Sequence, residues 1–205
     1  LYLTVINANA GMKTIVYDAR IWSDDPATRN AAIEFWRPHI AWVRAFDMGD
    51  EFDPNGPEWS VLVHRWQVMM AYVVPQLGVG PFSNHLPWAI DPALASMPEH
   101  VYHLSFDEYN INSALWLADH FNLRVNHLMC AVNALNHSWV TSATKIKSDM
   151  RSLRNYGCDS FLIFGGVNPY STVPNYDPNF GTYSLVTKNG TATSWATAVL
   201  QGSTL

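Results

Sequence analysis

The stretch IAWVRAFDMGDEFDP, residues 40–54, carries the two signals that decide the fold. Its first part reads as a strand over residues 40–48, with successive side chains on opposite faces. Its second part breaks into Asp47, Asp50, Glu51 and Asp53 around Gly49. A strand that ends in acids suits a sheet whose chemistry lies at its carboxyl edge. By strict alternation, Val43, Ala45, Asp47, Gly49 and Glu51 share one face, while Trp42, Phe46 and Met48 share the other. The bulky face should meet helices, which sends Asp47 and Glu51 to the opposite side.

Outward from this stretch, strand-like and helix-like runs alternate. Upstream, residues 1–10 read as the tail of a helix closed by Gly11, and MKTIVYDA (12–19) is a β-branched strand. Ser23-Asp24-Asp25-Pro26 reads as a helix start, with an acidic cap and Pro in the first turn, opening a helix over 26–38. Downstream, a helix is expected over 58–77, with Val61, Leu62, Met69 and Val73 on roughly one side, then a strand over 79–83. A loop holding Asn84, His85, Pro87 and Trp88 leads to a strand over 100–106. Helices over 111–121 and 144–156 alternate with strands over 124–134 and 160–165; a loop over 166–181 and a helix over 193–200 close the chain.

Alternating strands and helices argue for one α/β domain over residues 1–205, with a parallel sheet flanked by helices. The first strand runs into Arg20-Ile21-Trp22-Ser23, so the Gly-rich phosphate loop of a dinucleotide-binding sheet is absent. The expected architecture is a (β/α)8 TIM barrel. Six strands leave it one or two β/α units short, and the chain begins at Leu1 without Met. A missing amino-terminal segment, or an incomplete barrel within a larger assembly, is therefore expected.

Composition narrows the function. The chain is 48% hydrophobic with a net charge of −5, which excludes extended disorder. Only 12 Lys and Arg stand against 17 Asp and Glu, so no nucleic-acid backbone partner is expected. No apolar run approaches the ~20 residues of a membrane span. Nine Trp, nine Tyr and nine Phe suit a cleft that stacks flat ligands, beside those that fill the core. Cys130 and Cys158 are too few for a disulfide scaffold; two buried thiols are expected, with a cross-strand pair as the alternative. Low Lys with abundant Asn, Thr and Trp suits an extracellular setting, by composition alone; sequons at Asn136 and Asn189 are weak signals by themselves.

Polar residues recur at strand ends. Asp18 closes the first strand, Asp107, Glu108 and Tyr109 the fourth, and Asn133 the fifth, with Trp139 beyond it; Tyr170 follows the sixth. On the fourth strand His103, Ser105 and Asp107 share a face against Tyr102, Leu104 and Phe106. Clustered carboxylates are costly unless they are paired, and two with separated pKa values can hydrolyse an acetal. Asp47, Asp50, Glu51 and Asp107 are also oxygen donors for Ca²⁺ or Mg²⁺, but their spacing matches no EF-hand, so no metal or other cofactor is expected.

The strand ends AFDMGDEFDP (45–54) and HLSFDEYN (103–110) resemble those of glycoside-hydrolase TIM barrels. NANAGMKTIVYDA (7–19) is similar to an early helix–Gly–strand step of these barrels, and SLVTKNGTATSWATAVLQG (184–202) to their closing helix. The resemblance implies cleavage of a glycosidic bond in a poly- or oligosaccharide. It implies Glu51 as the acid at the end of barrel strand four, Asp107 or Glu108 as base or nucleophile, and Asp47 and Asp50 as charges that tune them. The penultimate strand offers Asn133 where retaining members carry a nucleophilic Glu, a departure from the ordinary pattern. Asp18, His85 and Asn133 would contact the sugar, and Trp22, Trp88, Tyr109, Trp139 and Tyr170 would stack on it. The alternative is a carbohydrate-binding or structural barrel without catalysis, part of a virion or cell-surface assembly.

Overall fold

The computed structural model describes residues 13–97, 102–106, 108, 110–121, 127–133, 143–164 and 197. The chain divides into two units, Leu1–Ser105 and Phe106–Leu205. The helix expected over 144–156 is described, and the strands expected over 100–106, 124–134 and 160–165 are described in part; the helix tail over 1–10, the loop over 166–181 and, apart from residue 197, the helix over 193–200 lie outside the described residues.

In the first unit β1 (Thr14–Val16), β2 (Val43–Asp50), β3 (Pro81–His85) and β4 (His103–Phe106, its first three residues) follow one another in strand order. β2 pairs in parallel with both β1 and β3. Parallel neighbours need crossovers, and helices supply them. Asp25 caps α1 (Pro26–Trp36) by accepting from the backbone N–H groups of Ala27 and Thr28, and Pro26 at the first position has no N–H to leave unpaired. Arg29, Ala32, Ile33 and Trp36 form the buried stripe of α1. Trp36 meets Phe46 of β2 edge-on, with ring centroids 5.9 Å apart, so the bulky face of β2 does meet a helix.

The second crossover is α2 (Trp59–Val68), a π turn (Met69–Val73) and α3 (Val74–Leu77). Pro75 has no N–H and its ring crowds the preceding turn. The helix widens just ahead of it, where Val74 N–H donates to the Met69 carbonyl, and Gly78, at φ 67°, ends it. Residues 86–97, read from the sequence as a loop running on from β3, instead form a 3-10 turn (Pro87–Ala89) and α4 (Ile90–Ser96). Two prolines mask this short helix, whose Ile90, Ala93 and Leu94 are buried.

In the second unit α5 (Ile111–Phe121) buries Ala114, Leu117, Ala118 and Phe121, spaced as one helix face. β5 (His127–Asn133) pairs in parallel with β6 (Ser160–Phe164), and α6 (Ala143–Asn155) connects them with Ile146, Met150 and Leu153 buried. Cys130 of β5 and Cys158, just before β6, form a disulfide across 5.9 Å between their Cα atoms. This corrects the expectation of two thiols. The in-register pairing of Cys130 with Phe161 draws the chain entering β6 alongside β5, a proximity that residue spacing does not reveal. Among the described residues no helix is long and apolar enough to cross a membrane.

The disulfide closes a loop with a sequence separation of 28. Replacing both cysteines with Ala is expected to lower stability by about 3 kcal/mol, read from urea unfolding of the two proteins. Thiol labelling of the native chain should find no free cysteine among these two.

Candidate functional site

The acids of β2 are arranged by an irregularity in its pairing with β3. Asp47 lies opposite Phe82, yet Asp50 lies opposite Asn84. Three steps along β2 thus match two along β3, so β2 carries one extra residue, a β-bulge. Beyond a bulge the alternation is reversed. Asp50, not Glu51, therefore joins Asp47 on one face, and the Asn84 amide confirms this by donating to the Asp50 carboxylate at 2.9 Å. The strict alternation that paired Asp47 with Glu51 fails at this point.

Local contacts hold the bulge. The Asp47 carboxylate accepts the N–H of Gly49 at 3.0 Å. Gly49 adopts φ 145°, and a Cβ there would stand 2.0 Å from the Phe52 ring, so only glycine fits. Arg65 of α2 donates to the Met48 carbonyl at 2.5 Å. Its guanidinium lies 5.4 Å from the Trp22 ring centre and 5.9 Å from that of Phe52. Glu51 then takes φ 50°, the left-handed region, and its N–H donates to the Asn84 carbonyl at 2.9 Å.

The face is extended by β4. The Ser105 hydroxyl donates to the Asn84 side-chain oxygen. With that oxygen occupied, Asn84 presents its NH₂ to Asp50, so hydroxyl, amide and carboxylate form a chain across three strands. Asp47 is half-buried and Asp50 exposed. Burial raises the Asp47 pKa above the ordinary carboxylate value; the Gly49 N–H opposes the rise, the Asp50 charge adds to it, and Arg65 opposes it.

Other residues singled out in the sequence are placed elsewhere. The Asp18 carboxylate is occupied by the Arg20 guanidinium and by the Trp36 indole N–H at 2.8 Å, which ties the turn after β1 to α1; these contacts hold its pKa low. Trp22 is buried between Tyr17 and Arg65. Trp88 is 54% exposed just after β3. Glu108, in the second unit, accepts from the Asn110 N–H at 2.7 Å and so shapes the start of α5. Asn133 is the last residue of β5. Asp107, Tyr109, Trp139 and Tyr170 lie outside the described residues. Among the described residues no group of three or more His, Cys, Asp and Glu is arranged to hold a metal ion.

His85 alternates with Asn84 on β3 and so falls on the other face of the sheet, with Ser83. Its Nε2 lies 2.7 Å from both the Ser83 hydroxyl and the Tyr102 hydroxyl, which also contact each other. Trp59, the first residue of α2, lies against the His85 ring at 6.0 Å. All three polar residues are buried, and Nδ1 of His85 is buried without a hydrogen-bond partner. Burial lowers the His85 pKa to about 4 and raises that of Tyr102. This is a packed polar cluster turned away from the acids.

Sequence reasoning overlooked Asn84 and Arg65 as members of the acid site. Gly49 within an acidic strand end was the available signal for a bulge. No protein-family model matches the chain, and no curated protein sequence matches it.

Two outcomes follow. Gly49→Ala should cost about 2–3 kcal/mol in stability, from its φ and from the clash with Phe52. Phe52→Ala in the same chain should recover part of that loss in thermal unfolding. For His85, the unfolded chain takes up a proton near pH 6.5, whereas the folded chain resists until about pH 4. Stability is therefore full above pH 6.5 and declines as pH falls toward 4, by up to about 3 kcal/mol. Urea unfolding at several pH values should show a smaller decline in His85→Gln than in the native chain.

Proposed function

We propose that the chain is a glycosidase of the TIM-barrel type, with its acid pair at the carboxyl end of β2. The observation that carries this is the placement of Asp47 and Asp50 on one face by the bulge, with unequal surroundings. Asp47 is the more desolvated and has a raised pKa, as suits a general acid. Asp50 is exposed and oriented by Asn84, as suits a base. In the reaction Asp47 protonates the leaving glycosidic oxygen while the bond from that oxygen to the anomeric carbon breaks. Asp50 takes a proton from the water that attacks the same carbon. The acid role that the resemblance implies for Glu51 passes to Asp47. Trp88 offers an exposed ring for a sugar. The buried Cys130–Cys158 disulfide supports an oxidising setting, outside a cell or on a cell or virion surface.

Trp88 also favours a second reading, in which the chain binds carbohydrate without cleaving it. Assay of the purified chain on a panel of poly- and oligosaccharides separates the two. Turnover is expected, falling on the alkaline side as Asp47 loses its proton. Asp47→Asn and Asp50→Asn should each lower kcat by about a hundredfold or more, with unfolding curves that still report a folded protein. Binding without turnover would favour the second reading, and turnover indifferent to both substitutions would remove the acid pair from the mechanism.

A further inference from the structure

Arg65 belongs to α2, outside the sheet, yet it touches the irregular stretch of β2 between Asp47 and Asp50. Its Nη1 donates to the Met48 carbonyl inside the bulge. Trp22 and Phe52 both lie within 6 Å of the guanidinium carbon, so the aromatic rings restrict where the charge can sit. Phe52 in turn covers Gly49, and Gly49 donates to Asp47. The guanidinium, the bulge and the acid are thus linked through consecutive contacts. The charged groups acting on Asp47 are Asp50, on its own strand, and Arg65, from α2; Asn84 and Phe82, facing from β3, are neutral.

We propose that Arg65 is a positioning residue for the acid pair, holding the bulge through the Met48 carbonyl and setting a fixed positive charge against Asp47. This rests on the acid-pair reading above. Asp47 is subject to two opposed charges, one from Asp50 and one from Arg65. The first favours its protonated form and the second its ionised form. Arg65 therefore limits how firmly Asp47 keeps its proton, so that the group can both hold the proton and release it to a leaving oxygen. A guanidinium suits this place better than an ammonium, because its plane can pack on the rings while an edge N–H reaches the carbonyl.

The test is a titration of the full chain carrying ¹³C-labelled aspartate carboxyls, with the two resonances assigned through Asp47→Asn and Asp50→Asn. It compares the native chain with R65K, R65Q and R65M. Lys keeps the charge, Gln keeps a donor without the charge, and Met keeps only bulk. The Asp47 midpoint is expected to move upward in R65Q and R65M and to stay near the native value in R65K. On a glycan substrate the alkaline limb of the kcat profile should move with it, a displacement that loss of packing alone would not produce. An unmoved Asp47 midpoint in R65Q and R65M overturns the proposal. Loss of folding in all three variants overturns it too, since Arg65 would then be a packing element. The titration needs no substrate, so a native chain that turns over no glycan defeats the glycosidase reading without altering the Arg65 result.

Discussion

The extra residue in β2 between Asp47 and Asp50 is the constraint on which the acid face depends. A strand without it would turn Asp47 and Asp50 to opposite sides, because their separation is odd. With it, both meet the side of β3 that carries Asn84. The distortion has a cost. Glu51 takes a left-handed φ that non-glycine residues seldom adopt, worth about 1–3 kcal/mol. The contacts that offset it come from four directions: the Asp47 carboxylate, the Phe52 ring, the Arg65 guanidinium and the Asn84 carbonyl. Each acts on a different atom of the bulge, so the conformation is over-determined.

β3 serves two environments at once. Asn84 faces the acids, where a neutral amide links a hydroxyl to a carboxylate. Ser83 and His85 face the other way, into a dry region beside Trp59 and Tyr102. A charged imidazole there would lack compensation, so burial keeps it neutral at ordinary pH. The side of β3 that the ring occupies sets His85 among packed side chains and not beside the acids.

Much of the secondary structure was legible, because hydrophobic periodicity and caps act locally. Asp25 with Pro26, and the apolar run of β2, announce their elements within a few residues. The alternation around β4 was legible too, since Tyr102 and Ser105 fall on opposite sides, one beside Ser83 and the other beside Asn84. The bulge was not legible, because register is a property of two strands and one sequence run reveals only its own period. Asp18 and Trp22 stand near a strand end but are captured by Arg20, Trp36 and Arg65, partners that the fold supplies. The Cys130–Cys158 bond depends likewise on how β5 and β6 align.

The electrostatics of the face argue that packing alone does not account for it. The Asn84 amide needs an acceptor at position 50, and a neutral Asn or Ser would supply one without placing a second negative charge near Asp47. Asp50 instead makes the ionised form of Asp47 harder to maintain. Asp47 has a structural duty at Gly49, but a side-chain amide oxygen could accept that N–H as well. Both carboxylates therefore carry charge that their hydrogen bonds do not require. Arg65 supplies the opposite charge from a helix rather than by a direct ion pair, and so moderates the repulsion without neutralising either acid.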